Sequence, residues 1–230
     1  FYVAQEGRPG PVLIDVPRDV QLELTDAIFP DVTEPPESEV SEEAAERLIE
    51  AARLINEAER PLIISGHGVM TSGANKELLS LAERSGIPVI TTLLGLGSFP
   101  GGHPLSMGML GMHGMYWNNI SVDQADLIVG VGMRFDDRVT GRLRDFAPNA
   151  KVVHVDIDPS ELDKNVKADG PVAGDLKQVL NQLLPKIEPN VHIEWLRHTD
   201  KLRADHPSTQ IRDTQELLPQ YVLTELSKAT

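Results

Sequence analysis

Short apolar runs alternate with stretches of helical periodicity through the middle of this chain. The clearest runs are Pro61–Gly66, Pro88–Thr91, Leu127–Val131 and Lys151–Val155, the last ending at Asp156. They are rich in Leu, Ile and Val and do not alternate with polar residues. That pattern predicts strands buried on both faces. Between them, Ala44, Ala45, Leu48, Ala52 and Ile55 recur at helical spacing, with acids early, as the helix dipole favours. A second helix is predicted around Asn75–Ser85, stopped by Gly86. Others are predicted near Trp117–Gln124 and from about Asp175 to Leu184, with a short strand at Pro171–Ala173. Strands alternating with helices predict an α/β fold: a Rossmann-like, doubly wound parallel sheet with helices on both faces.

The flanks read differently. Pro11–Val16 predicts a short apolar strand closed by Pro17. Residues Asp26–Ser38 carry Pro30, Pro35, Pro36 and several acids without periodicity, which reads as a linker. From Glu188 the chain is polar and is expected to be irregular, turning helical again near Leu217–Leu226. The opening Phe1–Gln5 reads as the middle of a helix, so the chain is expected to be cut from something larger.

Composition narrows the chemistry. A net charge of −14 argues against nucleic acid and anionic membranes as partners. There is no cysteine, hence no disulfide framework and no thiolate chemistry. No apolar stretch approaches the ~18–20 residues of a membrane span. The seven histidines show no metal-binding spacing. With 4% aromatic residues, the core must be built from Leu, Ile, Val, Ala and Met.

The candidate chemistry lies where the strands end. Gly130-Val131-Gly132-Met133-Arg134-Phe135-Asp136-Asp137-Arg138-Val139-Thr140-Gly141 follows the Leu127 run. Glycines at a strand end permit close backbone approach, and the charges beyond them supply phosphate and hydroxyl partners. Arg134 and Arg138 suit phosphate oxygens, because guanidinium forks bind them in pairs; alternatively they form ion pairs with Asp136 and Asp137. Asp156 ends a strand and suits a ribose hydroxyl; alternatively it is a turn residue, as Asp158-Pro159 suggests. Gly66-His67-Gly68 has two glycines of a dinucleotide fingerprint and lacks the third. His113 invites a general-base reading, but a lone loop histidine is more often a hydrogen-bonding group.

Together with Gly108-Met109-Leu110-Gly111-Met112-His113-Gly114, the Gly130–Gly141 run closely resembles the central domain of the acetolactate synthase (acetohydroxyacid synthase) family. Gly7–Val12, Thr91–Gly95 and Phe99–Leu105 fit the same family, so five runs stand in its order along essentially the whole chain. The resemblance implies a thiamine-diphosphate-dependent transferase of branched-chain amino-acid synthesis, which decarboxylates pyruvate and adds the fragment to pyruvate or 2-oxobutanoate. It implies that this domain cradles FAD, held mainly structurally, and walls the substrate channel. The Gly-Asp-Gly…Asn-Asn site for magnesium and diphosphate is not found here, nor is the glutamate that activates thiamine; the resemblance places both in flanking domains.

By the same resemblance, FAD lies extended across the strand ends. It meets Gly66, His67 and Gly68, then Thr91, Thr92 and Leu93. Leu110, Gly111, Met112 and His113 line it next, with Met112 and His113 beside the flavin. Gly132, Met133, Arg134, Asp136, Arg138 and Val139 follow, with Asp156, Ile157 and Asp175 near the adenosine and Arg8 reaching in from the preceding domain. None of these residues is expected to be catalytic. The implied organisation is 1–25 as the tail of a pyrimidine-binding domain, 26–40 a linker, 41–187 the central domain and 188–230 a linker onward. A homodimer or tetramer with a small regulatory subunit is implied, in the cytoplasm of a bacterium or the plastid of a plant. Other readings are a FAD-containing relative such as glyoxylate carboligase or pyruvate oxidase, or a structural nucleotide-binding module.

Overall fold

A computed structural model describes residues 1–26, 42–207, 211, 214 and 216–229, with only the backbone at 42–45. The proline-bearing linker expected at 26–40 lies almost wholly outside them. The elements run α1 (Tyr2–Gln5), α2 (Arg18–Leu22), α3 (Glu42–Glu57), β1 (Pro61–Ser65), α4 (Gly68–Thr71), α5 (Asn75–Ser85), β2 (Val89–Thr91) and β3 (Ser106–Met109). They continue α6 (Tyr116–Gln124), β4 (Leu127–Val131), α7 (Asp137–Thr140), β5 (Lys151–Asp156), β6 (Gly170–Ala173), α8 (Leu176–Leu183), α9 (Ile193–Asp205) and α10 (Pro219–Ala229).

The six strands form one sheet in the order β3-β2-β1-β4-β5-β6, every pair parallel. The expected doubly wound α/β fold is therefore present. Every residue of β1 and β4 is buried, as their unbroken apolar runs require. Successive residues feed opposite layers. Ile63, Val129, Val153 and Val155 pack with α3, α5 and α8 on one face. Leu62, Ile64, Ile128 and Val152 pack with α6 and α9 on the other. Each such side chain removed from water stabilises by roughly 1.5–3 kcal/mol before entropy is counted. Gly130 sits mid-strand because a Cβ there would come 2.9 Å from the Phe135 ring.

The helix predicted over Asn75–Ser85 has those bounds and ends on Gly86 at φ +66°. Three expectations need correction. Pro11–Val16 is exposed and irregular, because among the described residues no neighbouring strand pairs its backbone. The chain after Glu188 is not irregular throughout: Ile193–Asp205 forms α9, anchored by buried Trp195, whose indole N–H donates to the Pro61 carbonyl at 2.9 Å. The edge strand β3 was not expected. It carries a register shift opposite Val89–Ile90 and holds Gly108 at φ +87°.

Candidate functional site

In a parallel sheet all strands point the same way, so their carboxyl ends share one edge. Strand order reverses between β1 and β4, and there the loops diverge to opposite faces, which is where doubly wound sheets bind ligands. Nearly all the predicted residues follow strand ends along this edge.

At the reversal point the glycines serve each other. Gly66 N–H donates to the Val131 carbonyl at 3.0 Å and Gly68 N–H to the Gly132 carbonyl at 2.9 Å. A Cβ on Gly66 would lie 2.2 Å from the Gly132 oxygen, and Gly132 has φ +57° with Gly68 Cα 2.7 Å from its would-be Cβ. The β1 and β4 exits thus touch backbone to backbone. His67 between them has φ −64° and is exposed, with Nδ1 3.2 Å from the Leu94 carbonyl. That position needs no glycine, so a histidine is accommodated.

Thr91 and Thr92 are engaged within the chain. The buried Thr91 hydroxyl donates to the Gly108 carbonyl at 3.3 Å, and Thr92 Oγ1 accepts from Gly95 N–H at 3.1 Å, capping the turn Leu93–Gly95. Leu110 and Met133 turn their side chains into the core, and Val139 packs against it, so the first two face the edge with backbone alone. Leu93, Met112, His113 and Ile157 stay exposed.

The charged residues cluster after β4. Arg134 is exposed, and its Nε donates to Asp136 Oδ2 at 3.1 Å. Asp136 Oδ1 is buried and accepts nothing among the described residues. Arg138, on α7, is exposed, with Nη1 3.9 Å from Met112 Sδ. Asp137, its neighbour, is exposed as well. Asp156 Oδ1 accepts from Asp158 N–H at 2.9 Å, so it is a turn residue as well as an edge carboxylate. Burial raises its pKa above the ordinary 3.8. Asp175 Oδ1 accepts from Gln178 N–H at 3.0 Å and caps α8. Arg8 reaches the same edge: Nη1 lies 3.1 Å from Glu161 Oε1 and 3.8 Å from Asp158 Oδ2. A hydrogen bond from Lys164 holds the Glu161 carboxyl below its ordinary pKa.

Four partners escaped the sequence reading. Glu161 accepts from both Arg8 and Lys164; His154 is fully buried, with Nε2 2.7 Å from the Met133 carbonyl. Asn119 grips Gly111 by two hydrogen bonds. Only His154 had a visible signal, as a titratable residue inside an apolar strand. Two clefts, about 870 and 260 Å³, lie at the opposite edge, against the ends of α3 and α5 and residues 184–192. None of the predicted residues lines them, and the carboxyl edge stands as the candidate because the charges and strand ends converge there.

This donor set fits a dinucleotide such as FAD. Two exposed guanidiniums offer forks for phosphate, the unbonded Asp136 oxygen and Asp156 offer acceptors for ribose hydroxyls, and exposed Leu93, Met112 and Ile157 offer apolar cover for a flat ring. Among the described residues no cluster of three potential metal ligands occurs, and no helix is long and apolar enough to cross a membrane.

Fold and edge together define a doubly wound α/β domain with a candidate ligand site at the carboxyl ends of its strands. The family model for the thiamine pyrophosphate enzyme central domain matches residues 48–183, over half of the chain. The chain belongs to that family. It is 42% identical over 235 residues to the acetolactate synthase large subunit of Corynebacterium glutamicum, covering 99% of this chain and 38% of that protein. It is 43% identical over 233 residues to a probable acetolactate synthase large subunit of Methanocaldococcus jannaschii, covering 98% and 39%. To acetolactate synthase 1, chloroplastic, of Zea mays it is 38% identical over 246 residues, covering 100% and 37%. The chain thus spans well under half the length of the curated relatives it matches.

Proposed function

We propose that this chain is the FAD-cradling central domain of an acetolactate synthase. In that reading the intact enzyme uses thiamine diphosphate and Mg2+, held by regions other than this chain. It decarboxylates pyruvate and joins the two-carbon fragment to pyruvate or 2-oxobutanoate. It works as a homo-oligomer with a small regulatory subunit, in a bacterial cytoplasm or a plastid. The observation that carries the cofactor reading is the cluster after β4, with two exposed guanidiniums and a buried, unbonded Asp136 oxygen at the strand-order reversal. Similarity along nearly the whole chain to acetolactate synthase large subunits supports the parent enzyme.

FAD, when bound, supplies a rigid aromatic wall and no electrons to the carboligation. The chain's own residues do the rest. Arg134 and Arg138 bind phosphate oxygens, Asp136 and Asp156 accept from ribose hydroxyls, and Met112 with His113 excludes water at the ring. Arg8 bridges the N-terminal segment to the β5 exit and holds that end of the cradle in place.

The test is FAD titration into the intact protein carrying Arg134→Ala or Arg138→Ala. A charged hydrogen bond contributes roughly 1.5–3 kcal/mol, so affinity should fall about tenfold or more. An exposed ion pair contributes about 1 kcal/mol or less, so the denaturation midpoint should barely move. Unchanged affinity with collapsed stability would make the arginines structural. Turnover of glyoxylate instead of pyruvate would assign the parent to a different carboligase.

A further inference from the structure

The loop Leu110–Gly114, which leaves the edge strand β3, touches α7, which follows β4 three strands away in the sheet. Gly111 is where they meet. A Cβ there would lie 2.4 Å from the Arg138 carbonyl oxygen, and φ is +94°, so both space and conformation demand glycine. The next amide, Met112 N–H, donates to the same Arg138 carbonyl at 2.9 Å. Asn119, in the first turn of α6, grips Gly111 from the other side. Its Oδ1 accepts from Gly111 N–H at 2.9 Å, and its Nδ2 donates to the Gly111 carbonyl at 3.1 Å. An amide is the side chain that matches a peptide's donor and acceptor at once. The neighbouring Asn118 acts on β3 itself, donating to the Met107 and Met109 carbonyls at 2.9 and 3.0 Å.

We propose that Asn119 is the positioning residue that fixes Gly111 against the Arg138 carbonyl, so that Met112, His113 and Arg138 present one surface to the cofactor. The cofactor half of this rests on the FAD reading above. Asn119 touches no ligand; it acts through Gly111. Its loss frees the loop from α6 and, through Met112, from α7.

Two variants of the intact protein test it. Asn119→Ala removes both hydrogen bonds. Asn119→Asp keeps the shape and the acceptor but sets a second carboxylate oxygen against the Gly111 carbonyl, so only one contact can form. Amide hydrogen exchange is read first, without FAD. Two neutral hydrogen bonds together support about a tenfold or larger change in local opening. Gly111 and Met112 amides should therefore exchange about tenfold faster in Asn119→Ala, and faster by a smaller factor in Asn119→Asp, while β4 and β5 amides stay as in the parent. Acceleration at Gly111 alone, with Met112 unmoved, would show a local bond only and overturn the proposal. FAD titration is read second. Affinity should fall about tenfold and the flavin absorbance envelope should shift, because Met112 and His113 change position. A loosened loop with unaltered flavin binding and spectrum would overturn the positioning role. If the parent protein takes up no flavin, the FAD reading fails, and Met112 exchange alone decides the coupling to α7.

Discussion

At the residue scale, His154 ties titration to the β4 exit. Its imidazole is fully buried on β5, meets the Phe135 ring edge-on at 4.9 Å, and donates from Nε2 to the Met133 carbonyl. Nδ1 is buried and unpartnered among the described residues, so protonation would bury a second donor without an acceptor. Burial accordingly holds the pKa below the ordinary 6.5. As pH falls through about 6.5, the unfolded chain takes up this proton first. Stability contributed by the neutral ring is therefore complete above that pH and declines below it, toward the folded pKa, by up to about 1.4 kcal/mol per pH unit. Asp156 acts with the opposite sign: its raised pKa lets the folded state take the proton first, so stability recovers as pH falls through that raised pKa toward 3.8. Urea midpoints between pH 8 and 5.5 should fall more steeply for the parent than for His154→Gln. Equal slopes would show that the ring does not govern this window.

At the element scale, the crossing of the β1 and β4 exits is among the tightest backbone contacts on the candidate edge. Gly66→Ala must push against the Gly132 oxygen, and Gly132→Ala meets Gly68 while also forcing φ +57° on a residue with a Cβ. Overpacking of this kind costs about 1–3 kcal/mol and sometimes more. Gly73 is the comparison: φ is +65°, but nothing lies within 4 Å of its would-be Cβ, so alanine there meets only backbone strain of about 1 kcal/mol. Thermal unfolding should place Gly66→Ala and Gly132→Ala several degrees below Gly73→Ala. A common melting temperature would mean that the loops part at no cost and that the contact is incidental.

At the scale of the whole molecule, the proposed cradle would not by itself make a carboligase. The thiamine chemistry belongs to its cofactor, and no motif for magnesium, diphosphate or thiamine activation stands in these 230 residues. The chain assayed alone with pyruvate, thiamine diphosphate, Mg2+ and FAD should give only background acetolactate. Robust turnover by the pure chain would overturn this division of labour.

The sequence by itself determined the sheet's interior and its helical cover. Strands buried on both faces must read as unbroken apolar runs, which is why β4 was legible to the residue and β1 to within its closing glycine. Gly86 marked the end of α5 because a left-handed cap is local chemistry. The strand-end charges were legible for the same reason: they follow directly on recognisable strands. Tertiary structure alone decided the rest. β3 is an edge strand whose Ser106–Met109 run holds a positive-φ glycine and a register shift, so its pairing depends on β2 and Asn118. α9 offers only a sparse apolar stripe, and its place is set by Trp195 reaching Pro61 across 134 residues. Arg8 meets Glu161 across 153 residues. Whether a strand-end glycine faces a ligand or another backbone was likewise settled by packing, because glycine's lack of a side chain permits both.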